Sequence, residues 1–140
     1  MNTVVGAVAC VWLGMVLAIS FLEAPLKFRA PGVTLALGLG IGRVVFAALN
    51  RAEVVLALAV LVAAVFGPHA VALVVAGAVA GAALVAQLAL VRPFLVRRSD
   101  RVLLGEQGPR SRAHLAYIGL EVVKVIALVA LAWAALHQTP

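Results

Sequence analysis

Long apolar runs are the feature of this sequence that most restricts how it folds. Residues 3–22, 70–91 and 113–136 are each long and apolar enough to cross a bilayer as one helix, since a span needs about 20 mostly apolar residues. Of the 140 residues, 66% are hydrophobic and 11% are charged, which is more apolar surface than a water-soluble domain of this length buries. The sequence therefore predicts a single all-α transmembrane domain over residues 1–140.

A fourth span is predicted over residues 44–66, where the apolar run begins with three polar side chains, those of Asn50, Arg51 and Glu53. We expect these three residues to mark the membrane interface. The preceding residues 33–49 are also apolar, but a fifth span there would leave too few residues for the next crossing. We therefore predict a polytopic membrane four-helix bundle with an additional interfacial or re-entrant helix before span two. A helix continuous with span two remains open.

The basic residues test this count of spans. Both termini and the connection between spans two and three contain no Lys or Arg. Lys and Arg are retained on the cytoplasmic side, so the loops 23–43 and 92–112 are predicted to be cytoplasmic and both termini non-cytoplasmic. The Arg-rich, Ala- and Val-rich composition indicates a bacterial cytoplasmic membrane. Ten of the eleven basic residues fall on one side: Lys27, Arg29, Arg43, Arg51, Arg92, Arg97, Arg98, Arg101, Arg110 and Arg112.

The net charge of +6 does not indicate a nucleic-acid partner, because the basic residues lie in short connections between apolar runs. Such positions suit anionic lipid headgroups at the membrane surface. An ordinary interfacial role is favoured over recognition of a specific lipid. The candidate contacts with anionic lipid are Lys27, Arg29, Arg97, Arg98 and Arg101.

The last predicted span carries four polar residues on one helical face. His114, Tyr117, Glu121 and Lys124 follow one another at spacings of 3, 4 and 3. Glu121 and Lys124 lie roughly 12 to 17 Å into the helix, where ionisable groups are costly unless they are paired and face the bundle interior.

This face has two interpretations. In the functional one it lines a polar cavity in which Glu121 binds a cation or proton. In the structural one, which we favour, Glu121 and Lys124 neutralise each other or pair with charged partners on the neighbouring segment. Those candidate partners are Arg43, Arg51 and Glu53. His114 and Tyr117 lie nearer the surface, where interfacial anchoring is the favoured role.

No motif in the sequence predicts a catalytic residue, a cofactor or a metal site. The single cysteine, Cys10, has no Cys or His at metal-binding spacing, and the glycines at 38, 40 and 42 follow no strand and precede no Lys-Ser/Thr pair. We therefore predict a non-enzymatic membrane protein that assists or scaffolds other membrane components, alone or as a homo-oligomer. A small oligomeric transporter or channel that uses Glu121 and Lys124 is the alternative. An enzyme acting on lipid headgroups through His114, Tyr117 and Glu121 is disfavoured, since His114 lacks a nucleophile or metal partner.

A set of aromatic, proline and glycine positions resembles a known family. Span one ends in Ser20-Phe21, Pro25 and Phe28 follow it, a glycine-bearing segment leads to Phe46, and the last span opens near His114. This arrangement resembles the transmembrane protein 205-like family, whose bacterial members carry a domain of unknown function. The resemblance implies a four-helix membrane bundle with no enzymatic activity to transfer. The charged pair Glu121 and Lys124 departs from the family's pattern, which is mostly neutral there.

Overall fold

The computed structural model describes residues 1–67, 70–103 and 112–137; the side chains of residues 94, 98, 99, 102, 103 and 112–114 are outside that description. The described residues form helices joined by short turns. Four of these helices are long and apolar enough to cross a membrane, as the sequence predicts. The helices are α1 (Asn2–Arg29), α2 (Leu35–Phe66), α3 (Val71–Val91), α4 (Arg92–Leu103) and α5 (Arg112–His137).

Local sequence explains where the first connection lies. Helix α1 widens into a π-helical stretch at Leu17–Glu23, just before Pro25, which has no backbone N–H to donate. The turn that follows contains Gly32 at φ 81°, a backbone conformation that glycine adopts readily. Helix α2 then begins after Thr34, whose side-chain oxygen accepts a hydrogen bond of 3.1 Å from the backbone N–H of Leu37.

Helix α2 corrects one part of the sequence prediction. The segment 33–49, expected as a separate interfacial or re-entrant helix, is instead the first half of one 32-residue helix. No proline lies between Thr34 and Gly67, and the helix runs unbroken to Phe66 through the glycines at 38, 40 and 42. At 1.5 Å per residue it is about 48 Å long, well beyond the roughly 30 Å of a bilayer core.

The four long helices form a ring. Helix α5 packs most extensively on α3 and α1, while α2 closes the ring against α1 and α3. Helices α2 and α5 consequently face each other across the bundle axis. The start of α1, the end of α2, the start of α3 and the end of α5 lie at one end of the bundle, called the terminal end. The α1–α2 connection and α4 lie at the other, called the basic end because it carries Lys27, Arg29 and Arg97.

Small side chains let the helices approach closely. Ala9 of α1, Ala80 of α3 and Ala135 of α5 are fully buried in the core. Large apolar side chains remain exposed along the outer faces, among them Val44, Leu58 and Val75. Apolar side chains on the outer faces suit a bundle that is surrounded by lipid.

The chain near the basic end folds back onto the first half of α2. A Cβ added at Gly38 would overlap the Phe28 ring, and one added at Gly42 would lie 2.8 Å from the Lys27 ammonium. Glycine at these positions therefore lets the end of α1 pack directly on α2, whereas Gly40 faces open space with nothing within 4 Å.

Gly38→Ala is expected to destabilise the protein, because its methyl group would push the Phe28 ring off α2 at a cost of about 1–3 kcal/mol. Gly40→Ala is the matched control and should be neutral or stabilising by up to about 1 kcal/mol, since alanine favours helices. Thermal unfolding in mild detergent measures both. Equal unfolding temperatures for the two variants would contradict the packing of Phe28 on Gly38.

Candidate functional site

The ammonium group of Lys124 lies at the centre of the bundle. Its side chain is fully buried, and its position in α5 is roughly 18–20 Å from either end of the helix. The ammonium nitrogen contacts three oxygen atoms: Glu53 Oε1 at 2.6 Å, Gln87 Oε1 at 2.7 Å and Glu121 Oε1 at 2.6 Å. The contacts with Glu53 and Gln87 are hydrogen bonds, and the contact with Glu121 is an ion pair.

Two further donors complete this network. The Trp12 indole N–H donates to Glu53 Oε1 at 2.9 Å. The Gln87 amide nitrogen donates to Glu121 Oε1 at 2.6 Å and to the backbone carbonyl of Tyr117 at 3.3 Å. All four long helices thereby contribute to one buried group of side chains, called the central cluster: Trp12, Glu53, Gln87, Glu121 and Lys124.

The orientation of Gln87 follows from its neighbours. Its oxygen must face the Lys124 ammonium and its nitrogen must face the carboxylate of Glu121, because the reverse would oppose donor to donor and acceptor to acceptor. Gln87 also begins the π-helical stretch Gln87–Val91 of α3. Such turns widen a helix locally and are frequent at functional sites.

The charges of the central cluster do not cancel. When ionised, the two carboxylates of Glu53 and Glu121 and the single ammonium of Lys124 sum to one negative charge. Glu53 Oε2 and Glu121 Oε2 are buried without a hydrogen bond to any described residue. The cluster therefore has an excess of acceptors and lacks one positive charge. Chemically, this arrangement can accept a proton or a small cation.

The structure places three of the four residues predicted on the last helix at this centre. Glu121 and Lys124 are in the cluster, and Tyr117 contributes its backbone carbonyl while its side chain is 9% exposed. The predicted pairing of Glu121 with Lys124 is present, and so is the pairing of Lys124 with Glu53. The side chain of His114 is outside the described residues.

The three polar residues expected at the membrane interface behave differently from one another. Glu53 is fully buried about 20 Å from the end of α2, so the interfacial position expected for it is wrong. Asn50 is 3% exposed and also faces the interior, whereas Arg51 is exposed. Arg43 is not a partner of the cluster; it forms an exposed ion pair with Asp100 of α4.

The candidate lipid contacts also divide into two groups. Arg29, Arg97 and Arg101 are exposed at the basic end, and the side chain of Arg98 lies outside the described residues. Lys27 instead folds inward: its ammonium lies 3.8 Å from Glu23 Oε2 and 5.7 Å from the centre of the Phe46 ring. Its side chain thus packs on the protein, with 10% of its surface exposed.

Sequence reasoning missed Trp12 and Gln87, which complete the cluster. A glutamine in the middle of an apolar span was the available signal, because polar side chains in lipid usually bond across helices. For Trp12 the sequence carried no signal, since tryptophan is common both in cores and at membrane interfaces.

The fold and the cluster define a multi-pass α-helical membrane protein with ionisable side chains in its interior. No protein-family model, curated protein or solved structure matches the chain.

Lys124→Met is expected to destabilise the bundle by about 3–5 kcal/mol, because it leaves two buried carboxylates without their cation. The triple variant Lys124→Met/Glu53→Gln/Glu121→Gln removes all three charges at similar volume and should recover most of that loss. Thermal unfolding in mild detergent and membrane abundance measure both. A Lys124→Met protein as stable as wild type, or a triple variant as unstable as the single one, would contradict the charge balance.

Proposed function

We propose that the protein is a small transporter of the cytoplasmic membrane in which Glu53 and Glu121 bind the coupling cation beside Lys124. The observation that carries the proposal is the buried negative charge of the central cluster, with two carboxylate oxygens free to accept. A charge pair that served only to hold the helices together would need one carboxylate for one ammonium. The second carboxylate is an additional cost in lipid, which a cation-binding role explains.

A variant that neutralises one glutamate of the central cluster distinguishes a role in transport from a role in holding the helices together. Glu121→Gln leaves Glu53 and Lys124 as a balanced pair and keeps an oxygen and a nitrogen near Gln87. Its overall charge equals that of the cation-bound cluster, so the variant should fold and accumulate normally but no longer exchange the cation. Loss of cation exchange should abolish function without loss of protein.

The prediction is that Glu121→Gln fails to complement a deletion strain in a solute-sensitivity screen while reaching wild-type membrane abundance. Asp100→Asn is the matched control, since it neutralises an exposed carboxylate outside the cluster. A surface ion pair contributes little, so this control should complement. Full complementation by both Glu121→Gln and Glu53→Gln would refute cation coupling.

A second candidate function is assistance or scaffolding of other membrane components, without catalysis. The observation that favours it is a set of outward-facing glycines, Gly14, Gly81 and Gly119, each with no atom within 4 Å of an added Cβ. Such positions allow close approach of another helix, from a partner protein or a second copy. If the protein is a scaffold, Glu121→Gln should complement the deletion strain fully, because the outer face of the bundle makes the contacts with partners.

The proposed orientation places the basic end in the cytoplasm and both termini outside. Its support is the location of Arg29, Arg97 and Arg101, exposed at one end of the bundle, and the positive-inside rule. The proposed place is a bacterial cytoplasmic membrane, with membership of the transmembrane protein 205-like family as a companion proposal.

This orientation predicts the labelling of single cysteines. In a Cys10→Ala background, Arg29→Cys should be protected from a membrane-impermeant maleimide in intact cells and labelled after permeabilisation. A cysteine inserted before Met1 should be labelled in both. Labelling of Arg29→Cys in intact cells, with protection of the N-terminal cysteine, would contradict the proposed orientation.

A further inference from the structure

Polar atoms without partners continue from the central cluster toward the basic end. Tyr117 lies one helical turn from Glu121, about 6 Å along α5, and Asn50 lies three residues from Glu53, about 4.5 Å along α2. Both are on the basic side of the cluster. The Tyr117 hydroxyl and Asn50 Oδ1 are buried and make no hydrogen bond to any described residue.

Side-chain contacts continue from Tyr117 to the basic end through the ring of Phe46. The Tyr117 ring meets the Phe46 ring edge-on at 6.0 Å, and Phe46 in turn lies 5.7 Å from the Lys27 ammonium. Lys27 is 3.8 Å from the half-exposed Glu23. Ser20, one turn before Glu23 in the π-helical stretch of α1, has a buried hydroxyl that makes no hydrogen bond within the described residues. Side-chain contacts thus connect the surface at the basic end to Tyr117.

The opposite side of the cluster is apolar. Between the cluster and the terminal end, the buried side chains of the described residues are Val5, Ala9, Val60, Leu73 and their apolar neighbours. A small pocket of about 20 Å³ near the terminal end is lined mainly by apolar side chains, with Asn2 also in its lining. Among the described residues, the buried polar side chains outside the cluster therefore lie on its basic side and not on its terminal side.

We infer that the bound cation is a proton and that it reaches Glu53 and Glu121 from the basic end, through water held by Tyr117 and Asn50. The inference rests on the proposed function. A hydronium ion transfers its proton to Oε2 of one carboxylate, an O–H bond forms there, and a water molecule is left. The charge of the cluster changes from −1 to zero. The charged and titratable groups facing this site are Glu53 of α2, Glu121, Lys124 and Tyr117 of α5, and Arg92 of α4, which acts on Tyr117 over a longer distance.

A proton fits the site better than a metal cation. The Lys124 ammonium already occupies the space between the Oε1 atoms of Glu53 and Glu121, and it would repel a second cation. A hard metal cation binds about six oxygen ligands. The described residues contain no group of three or more His, Cys, Asp or Glu side chains that would hold a metal.

Trp12 provides a reporter for this protonation, because its indole N–H donates to Glu53. Trp133→Phe removes the other tryptophan, which is 65% exposed near the terminal end. In this single-tryptophan protein, reconstituted in liposomes, Trp12 emission should change with pH at constant sodium and potassium. The same protein with Glu121→Gln should lose that change.

Rapid pH jumps test the side of access. Liposomes are sorted by orientation with Arg29→Cys labelling, in a Cys10→Ala background. A jump on the basic-end side should change Trp12 emission about tenfold faster than a jump on the terminal side. Asn50→Leu should slow the basic-side response by about tenfold, whereas Asn2→Leu, at the terminal end, should not.

The outcomes separate the two proposals. A response to sodium or potassium at constant pH, with none to pH, would keep cation binding and overturn the proton. A pH response that is equally fast from both sides would overturn the access route. An emission that ignores both pH and alkali cations, in wild type and Glu121→Gln alike, would overturn cation binding itself.

Discussion

A lysine ammonium enclosed in the middle of a membrane bundle is the interaction on which the rest of this structure depends. An ammonium group in hydrocarbon is costly unless all of its donors are satisfied and its charge is opposed. Lys124 donates hydrogen bonds to Glu53 and Gln87, and its charge is opposed by the carboxylates of Glu53 and Glu121. Trp12 ties the fourth helix to the same group through Glu53.

This constraint specifies the arrangement of the helices more than their apolar faces do. Apolar helices in lipid have little preference among partners, since lipid tails are as apolar as leucine. The bond from Lys124 to Glu53 crosses the bundle axis between α5 and α2, which share few other contacts. The small residues Ala9, Ala80 and Ala135 then let the ring close tightly around the cluster. Packing and polar bonding therefore select the same arrangement.

Much of this fold follows from the sequence, because span length and the asymmetry of basic residues are strong local signals. The shared face of Glu121 and Lys124 was likewise readable from helical spacing. The depth of Glu53 was not, since a span boundary assigned by hydropathy places a cluster such as Asn50, Arg51 and Glu53 at the surface. The position of Glu53 in the interior depends on its partners on other helices, Lys124 of α5 and Trp12 of α1. The role of Gln87 was missed for the same reason, since it depends on residues 30 or more positions away.

Infrared spectroscopy of the protein in lipid at neutral pH tests most directly whether the central cluster binds a proton. It separates protonated carboxylic acids from carboxylates by their C=O stretching bands. If the central cluster binds a proton, the wild-type protein contains one buried protonated carboxyl group that exchanges slowly in heavy water. That band should be missing in both Glu53→Gln and Glu121→Gln, where one carboxylate balances Lys124. A wild-type spectrum that shows only ionised carboxylates for these two residues would contradict the proposal that the cluster binds a proton.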